Sequence, residues 1–279
     1  MTDPLVRLTS EVTRCRRCPR LVAWREQVAA ERRAAFRDEV YWGRPVPGFG
    51  DPAARLMLFG LAPAAHGGNR TGRVFTGDRS GDFLFAAMWR VGLCNVPRSV
   101  ARNDDLRLHG AWATAAVRCA PPANKPTADE LANCLPWSAR ELALLPNLAA
   151  ILCLGGFAWA AALRMLAAGS AGSAGSAGSA GSAGSSGAVH PTGSESPTPP
   201  GSEGPTSTPA KRGRVARRPR FAHGAVTEQG GLHLIGCYHP SQQNTFTGRL
   251  TESMLDEVLL QARDLAGLGS DPGPLASAG

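Results

Sequence analysis

Four short apolar runs set the frame of this chain: RLMLFGL (55–61), AWATAAVRC (111–119), LAAILCL (148–154) and LHLIGCY (232–238). Each has strand length and is bounded by turn-forming residues, the pattern of strands buried on both faces. Amphipathic helix patterns lie between and after them. GDFLFAAMWRVGL (81–93) follows the first run, and a capping box at Thr127-Ala-Asp-Glu130 starts a helix after the second. A helix is expected after Gly155-Gly156, and TESMLDEVLLQARDLAGL (251–268) closes the pattern. RFAHGAV and LHLIGCY flank TEQGG and predict a hairpin. Helices are expected over 4–14 and 19–37, separated by CRRCP, while 41–52 holds too many breakers for regular structure. Strands alternating with helices predict an α/β fold of three layers, with a mainly parallel central sheet and helices on both faces.

Residues 168–210 stand apart. Repeated Ala-Gly-Ser triplets give way to PTGSESPTPPGSEGPTSTPA, with almost nothing apolar to offset the entropy of ordering. The expectation is one domain built from 1–167 and 211–269, interrupted by a flexible insertion at 168–210 and followed by a flexible tail at 270–279. The formal charge of +8 is carried almost wholly by arginine, since the only lysines are Lys125 and Lys211. A basic excess favours phosphate-bearing partners. Lys211, Arg212, Arg214, Arg217, Arg218 and Arg220 form a basic run that is either a solvated cluster or a sequence-blind grip on phosphates. No run reaches membrane-spanning length and none reads as a signal peptide, so no membrane partner and a cytoplasmic, nucleoid-associated location are expected.

In α/β folds ligands bind outside the carboxyl ends of the strands. The informative segments, 62–81, 119–126, 155–156 and 239–250, all leave strand ends, so one crevice is expected to collect them. Within it Asp78, in FTGDRSG, is by itself an ordinary helix N-terminal acid; Asn124 is by itself a turn residue, and His239 a strand-end histidine. Together they resemble a site. GGNRTGR (67–73) lacks the Lys-Ser/Thr ending of a phosphate loop, which excludes a P-loop nucleotide triphosphatase. Cys15 and Cys18 form C-x-x-C-P, and Cys119 and Cys134 can complete a set of four thiolates. Zinc and a [4Fe–4S] cluster both accept such a set, and spacing does not separate them. Cys94, Cys153 and Cys237 lie in apolar runs and read as core.

GLAPAAHGGNRTGRVFTGDRSG, VRCAPPANKPT and HPSQQNTFTGRLT together resemble the uracil-DNA glycosylase superfamily, and within it family 5. The resemblance covers nearly the whole chain outside the insertion. It implies an enzyme that removes uracil, and other deaminated bases, from DNA, with Cys15, Cys18, Cys119 and Cys134 ligating a structural [4Fe–4S] cluster. Two departures separate the chain from family 4. Leu61 stands where that family has a glutamate, and Ala115 where it has an asparagine that reads the base. A pocket without those readers discriminates less sharply, which matches family 5.

The polar work then falls to Asp78, which stabilises the sugar cation or orients water, to His239 as donor to the departing base, and to Asn124 as a second polar contact. Phe75 is expected to stack on the flipped base, with Leu61, Ala62, Ala65 and His66 lining the pocket. Ser241, Gln242, Gln243, Asn244, Thr247 and Arg249 are the expected DNA contacts, and Phe246 is either a wedge or a packing anchor. The partner is double-stranded DNA with the damaged base flipped out, met by a monomer. Lysine scarcity argues for a monofunctional enzyme, because strand cleavage usually needs an amine nucleophile. The rivals are a uracil-only glycosylase and a catalytically silent DNA-binding module.

Overall fold

The computed structural model describes residues 3–174 and 219–269. Six strands form one sheet: β1 (Phe49–Gly50), β2 (Leu56–Gly60), β3 (Ala111–Ala115), β4 (Ala150–Leu154), β5 (Val226–Gln229) and β6 (Leu232–Cys237). Their spatial order is β1-β3-β2-β4-β6-β5. The four central strands run parallel, and the two outer ones, β1 and β5, run antiparallel to their neighbours. Every residue of β2, β3 and β4 is buried, as continuous apolar runs covered on both faces require.

Alternate strand residues feed two cores. Leu56, Leu58, Ala113, Leu152 and Ile235 pack under helices α4 (Arg79–Arg90) and α8 (Glu252–Ala266). Met57, Phe59, Trp112, Ile151 and Leu234 pack with α5 (Ala128–Ala143) and α6 (Gly156–Ala174). The three layers are therefore as expected. A smaller core joins α1 (Pro4–Thr13) and α2 (Pro19–Glu31) to α5 and the exit of β3, around Leu8, Val12, Leu21, Val117 and Trp137.

Local chemistry sets the element ends. Asp3 caps α1 through the Leu5 amide at 2.7 Å, with Pro4 in the first turn. The capping box of α5 forms as expected: Thr127 accepts from the Glu130 amide and Glu130 accepts from the Thr127 amide. The first departure from expectation is α2, which stops at Glu31 rather than 37 because Arg32 turns into the left-handed region at φ +56. The breaker-rich segment 41–52 contributes the short β1, and the hairpin strand β5 lies at 226–229, later than RFAHGAV, turning at Gly230-Gly231 with φ +59 and +78. Two short helices, α3 (Gly68–Thr71) and α7 (Gln242–Phe246), lie in segments expected to be loops. Helix α6 continues to Ala174, past the expected boundary at 168. The rest of the proposed insertion, the basic run up to Arg218 and the tail at 270–279 lie outside the described residues.

The parallel register decides where the site is. Gly60 pairs with Ala115, Phe59 with Cys153, and Leu154 with Cys237, so all four central strands end at one edge. The segments after them leave from that edge.

Candidate active site

The segment after β2 is held in place by its backbone. The Gly60 and Leu61 carbonyls accept from the Ala116 and Val117 amides at 2.9 and 2.8 Å, extending the β2–β3 pairing beyond the strands. Phe75 adopts φ +54, a strained setting for an aromatic residue. Its ring lies over Gly60, where a Cβ would meet Phe75 Cζ at 2.7 Å, and its carbonyl abuts Gly81, where a Cβ would meet it at 1.8 Å. Only glycine leaves room at either position.

Asp78 caps α4, its Oδ1 accepting from the Gly81 amide at 2.9 Å. Burial raises its carboxyl above the ordinary range, opposed by the backbone donors of Gly81 and Ser80. A Cβ on Gly67 would stand 2.1 Å from Asp78 Oδ2, so Gly67 makes the space this carboxylate occupies. Arg70, buried, ties the two loops together: Nε donates to the His66 carbonyl at 2.8 Å, Nη2 donates to the Gly77 carbonyl at 2.7 Å, and Nη1 pairs with Glu39.

A cavity of about 1150 Å³ opens over these loops, large enough for a nucleoside. Ala65, His66, Asp78, Asn124 and Gln242 line it, and Arg33, Arg79 and Arg98 add positive charge to its wall. Asn124 reaches it from the exit of β3 on an unusual backbone, since Ala123 and Asn124 take φ +51 and +56 in succession.

His239 is not among the residues lining that cavity. It lines a smaller hollow of about 230 Å³ with Gly155, Tyr238, Asn244 and Arg249, at the ends of β4 and β6. Helix α7 links the two spaces: Gln242 lines the cavity, while Asn244 lines the hollow and donates from Nδ2 to the His239 carbonyl at 2.8 Å. Burial lowers the His239 pKa, which keeps the ring neutral near pH 7, and among the described residues the ring has no hydrogen-bond partner. The expected single crevice is thus two adjoining spaces. Leu61, Ala62 and Phe75 do not line the cavity either; Phe75 covers Gly60, and Ala62 packs against the cysteine-bearing core.

The segment expected to be a loop is a capped helical turn. Ser241 accepts from the Asn244 amide at 3.4 Å, which commits its hydroxyl to the cap. Gln243 is exposed, and the exposed Thr247 hydroxyl donates to the Gln243 carbonyl at 2.7 Å. Arg249 stacks on Tyr238 at 4.8 Å. Phe246 is 71% exposed, with the Arg79 guanidinium 5.7 Å from its ring. So exposed an aromatic ring is no packing anchor.

Cys15, Cys18, Cys119 and Cys134 surround one hollow, at the junction of α1, α2, α5 and the β3 exit. Burial pushes the Cys119 thiol up to about 11 and Cys134 to about 12. Three donors address the sulfurs: Arg25 Nη1 to Cys119 at 2.9 Å, the Arg118 amide to Cys134 at 3.1 Å, and Asn133 Nδ2 to Cys18 at 4.0 Å. Arg25 is 2% exposed and donates to the Cys15 carbonyl at 3.3 Å, its Nε has no partner, and among the described residues the carboxylate paired with it, on Glu26, stands 3.8 Å away. A buried guanidinium so placed calls for negative charge from the sulfurs. The remaining cysteines, Cys94, Cys153 and Cys237, are buried in the sheet cores as expected.

A mainly parallel sheet whose carboxyl edge carries a helix-capping aspartate and a left-handed asparagine at a nucleoside-sized cavity, with a His-Pro turn at a smaller hollow linked to it by α7, defines a class, and comparison identifies it. The model of the uracil DNA glycosylase superfamily matches residues 47–263, and the chain belongs to that superfamily. Within it the chain is similar to proteins named type-5 uracil-DNA glycosylase. The one from Mycobacterium tuberculosis is 49% identical over 263 residues, covering 94% of this chain and 81% of the relative. The one from Thermus thermophilus is 47% identical over 258 residues, covering 92% and 96%, and the one from Pyrobaculum aerophilum 40% identical over 259 residues, covering 92% of each.

Gly67, Arg70 and Tyr41, which shape or support the cavity, escaped the sequence reading. Arg70 lies inside GGNRTGR, where a buried arginine with two carbonyl partners looks like any basic loop residue.

Proposed function

We propose that this chain is a monofunctional uracil-DNA glycosylase that hydrolyses the N-glycosidic bond of uracil, and of other deaminated bases such as hypoxanthine, in double-stranded DNA. The observation that carries this reading is the half-buried Asp78 carboxylate, held by the Gly81 amide at the wall of a nucleoside-sized cavity. The target nucleotide must leave the duplex to enter. As the bond breaks, positive charge grows on the sugar and negative charge on the base. Asp78 stabilises the first or orients the attacking water, and a neutral imidazole N–H stabilises the second. Asn124 supplies an amide to the base or the water.

Support for the wider base range comes from what the site lacks. Leu61 and Ala115 carry no polar group where the resembling family 4 has its two base readers, which supports a less selective site, although neither residue lines the cavity itself. Lys125 is exposed and outside the cavity lining, which supports base release without strand cleavage. Phe246 is proposed to wedge into the gap left by the flipped nucleotide, with Gln242, Gln243 and Arg249 on flanking nucleotides.

The four cysteines are proposed to hold a [4Fe–4S] cluster that fastens α1 and α2 to the body and takes no part in hydrolysis. A single zinc would draw the sulfurs to about 2.3 Å from one point. All four cysteines ring one hollow, which supports a group held by four thiolates; zinc is the alternative that such a set also accepts. Visible absorbance and the iron content of the purified protein test this.

Single-turnover excision tests the activity, on duplexes carrying uracil or hypoxanthine, with the unaltered chain and Asp78→Asn. Release of both bases, lost in the variant while DNA binding persists, is expected. Release of uracil alone would narrow the enzyme to the uracil-only reading. Unchanged turnover by Asp78→Asn would remove Asp78 from its role.

A further inference from the structure

The segment 41–52, too rich in breakers to be read as structure, carries a residue that bears on the cavity. Tyr41 is buried, and its hydroxyl lies 3.0 Å from His66 Nδ1, the rings meeting edge to face at a centroid distance of 6.0 Å. The same hydroxyl oxygen accepts from the Arg33 amide at 3.3 Å. A phenol has one proton to give. With the oxygen accepting from Arg33, donation of that proton to His66 Nδ1 is the arrangement that gives the phenol's own hydrogen a partner. Nδ1 is then the acceptor and Nε2 carries the ring's hydrogen. Nε2 has no protein partner among the described residues, and His66 lines the cavity beside Asp78 and Asn124. The His66 carbonyl is itself held by Arg70, so the residue is fixed at its backbone and at one ring nitrogen.

Two cationic neighbours, Arg33 and Arg70, oppose a second proton on this ring, and burial acts in the same direction and more strongly. Glu39 is occupied by Arg70, and Asp78 by the Gly81 amide. A neutral imidazole with a defined N–H differs from an amide or a hydroxyl in one respect: its free nitrogen donates and cannot accept.

We propose that Tyr41 fixes His66 in the Nε2–H form, and that this N–H selects bases bearing an exocyclic carbonyl oxygen over those bearing an exocyclic amine at the same place. The inference rests on the base-excision reading above and deepens it. Uracil and hypoxanthine present a carbonyl where cytosine and adenine present an amine. A carbonyl pairs with the N–H; an amine sets donor against donor and leaves both unmatched, which discriminates far more strongly than a difference in shape. This accounts for a site that accepts bases of different size and still spares cytosine and adenine; thymine and guanine carry a carbonyl at that place and are left to exclusion by shape. His66 is the selecting residue, and Tyr41 is a positioning residue that acts through it.

The test exploits the two amides that imitate the two imidazole nitrogens. A glutamine places its NH2 near the position of Nε2, and an asparagine near that of Nδ1. Single-turnover uracil excision is expected to stay within about threefold in His66→Gln and to fall by about tenfold or more in His66→Asn and His66→Ala. Nitrogen-15 NMR of histidine-labelled protein is expected to show Nε2–H at His66, with the Nδ1–H form appearing in Tyr41→Phe. An Nδ1–H signal in the unaltered chain would overturn the proposal even if the His66 variants fail to fold. Equal excision by the Gln, Asn and Ala variants would overturn it while leaving the glycosylase reading intact. Absence of uracil release by the unaltered chain would overturn both.

Discussion

Two ends of this molecule hold polar groups away from solvent, and they use them in opposite ways. Around the cysteines the groups point at one another. Arg118 is 1% exposed and donates to Glu141, Ser138 and Thr114, and Glu141 also accepts from the Gly48 amide at 3.0 Å. Arg25 faces sulfur, and Trp137 lies between the guanidinium groups of Arg17 and Arg140. Around the cavity the side chains proposed for chemistry have few partners: Asp78 the backbone amides of Gly81 and Ser80, His66 the Tyr41 hydroxyl, and Asn124 is placed by its backbone. The first arrangement holds a fold and the second holds a reaction. A change at the cysteines should cost stability, and a change at the cavity should cost turnover with little effect on stability.

The sharpest way to break this contrast is Cys119→Ala. It removes a proposed cluster ligand and the sulfur that Arg25 faces, leaving the buried guanidinium only the Cys15 carbonyl and a carboxylate 3.8 Å away on Glu26. A loss of several kcal/mol, with Tm down by about 10 °C or more in a thermal melt, is expected. A variant that melts with the unaltered chain would show that this end does not carry the fold. Next comes Asp78→Asn, with an expected fall in single-turnover excision of about a hundredfold or more. Asparagine caps a helix as well as aspartate does. Because burial raises the Asp78 pKa, the folded state favours the protonated carboxyl, a contribution present below the ordinary value and lost as pH rises through the raised one. At pH 7 the neutral variant should therefore melt no lower than the unaltered chain. The same shift places the acid limb of the excision rate above the ordinary aspartate value of 3.8, a limb that Asp78→Asn should abolish.

Gly67→Ala sharpens the comparison, since its Cβ would collide with Asp78 Oδ2 and not with the core. Excision should fall about tenfold while Tm shifts by only a few degrees, read on one sample by quench assay and calorimetry. A milder effect follows from His66 and His239, whose depressed pKa values contribute stability that is present above their unfolded value of 6.5 and is lost as pH falls through the folded values. Tm should decline between pH 7 and 5, and decline less when both are glutamine. The smallest effect is Phe246→Ala: with its ring exposed, Tm should not move, while affinity for uracil-bearing duplex weakens by about tenfold.

How much of this was legible in the sequence divides along the same line. The four central strands were, because burial on both faces forces continuous apolar runs, while the outer β1 and β5 were missed or misplaced for want of such runs; the α5 cap was legible too, because Thr127 and Glu130 carry a local signal. The four cysteines could be grouped because their chemistry has few other uses. Asp78 and Asn124 were placed at strand ends, and the cavity gathers both. Other features depend on contacts between distant segments. Tyr41 sits in a stretch without periodicity, and its link to His66 spans 25 positions. The separation of His239 from the cavity follows from α7, whose Ser241 cap and one helical turn are too short to impose a period. The strain at Phe75 and the space made by Gly67 are steric facts that no residue type announces.

The backbone at Ala123 and Asn124 carries a consequence for anyone redesigning the specificity of this pocket. Two successive left-handed residues favour glycine, asparagine, aspartate and histidine, and penalise branched side chains. The vocabulary at position 124 is filtered by geometry before any substrate is consulted. Libraries that randomise it freely will return mostly misfolded loops, and an altered base preference is better sought at Ala65 or Gln242, which line the cavity at ordinary negative φ.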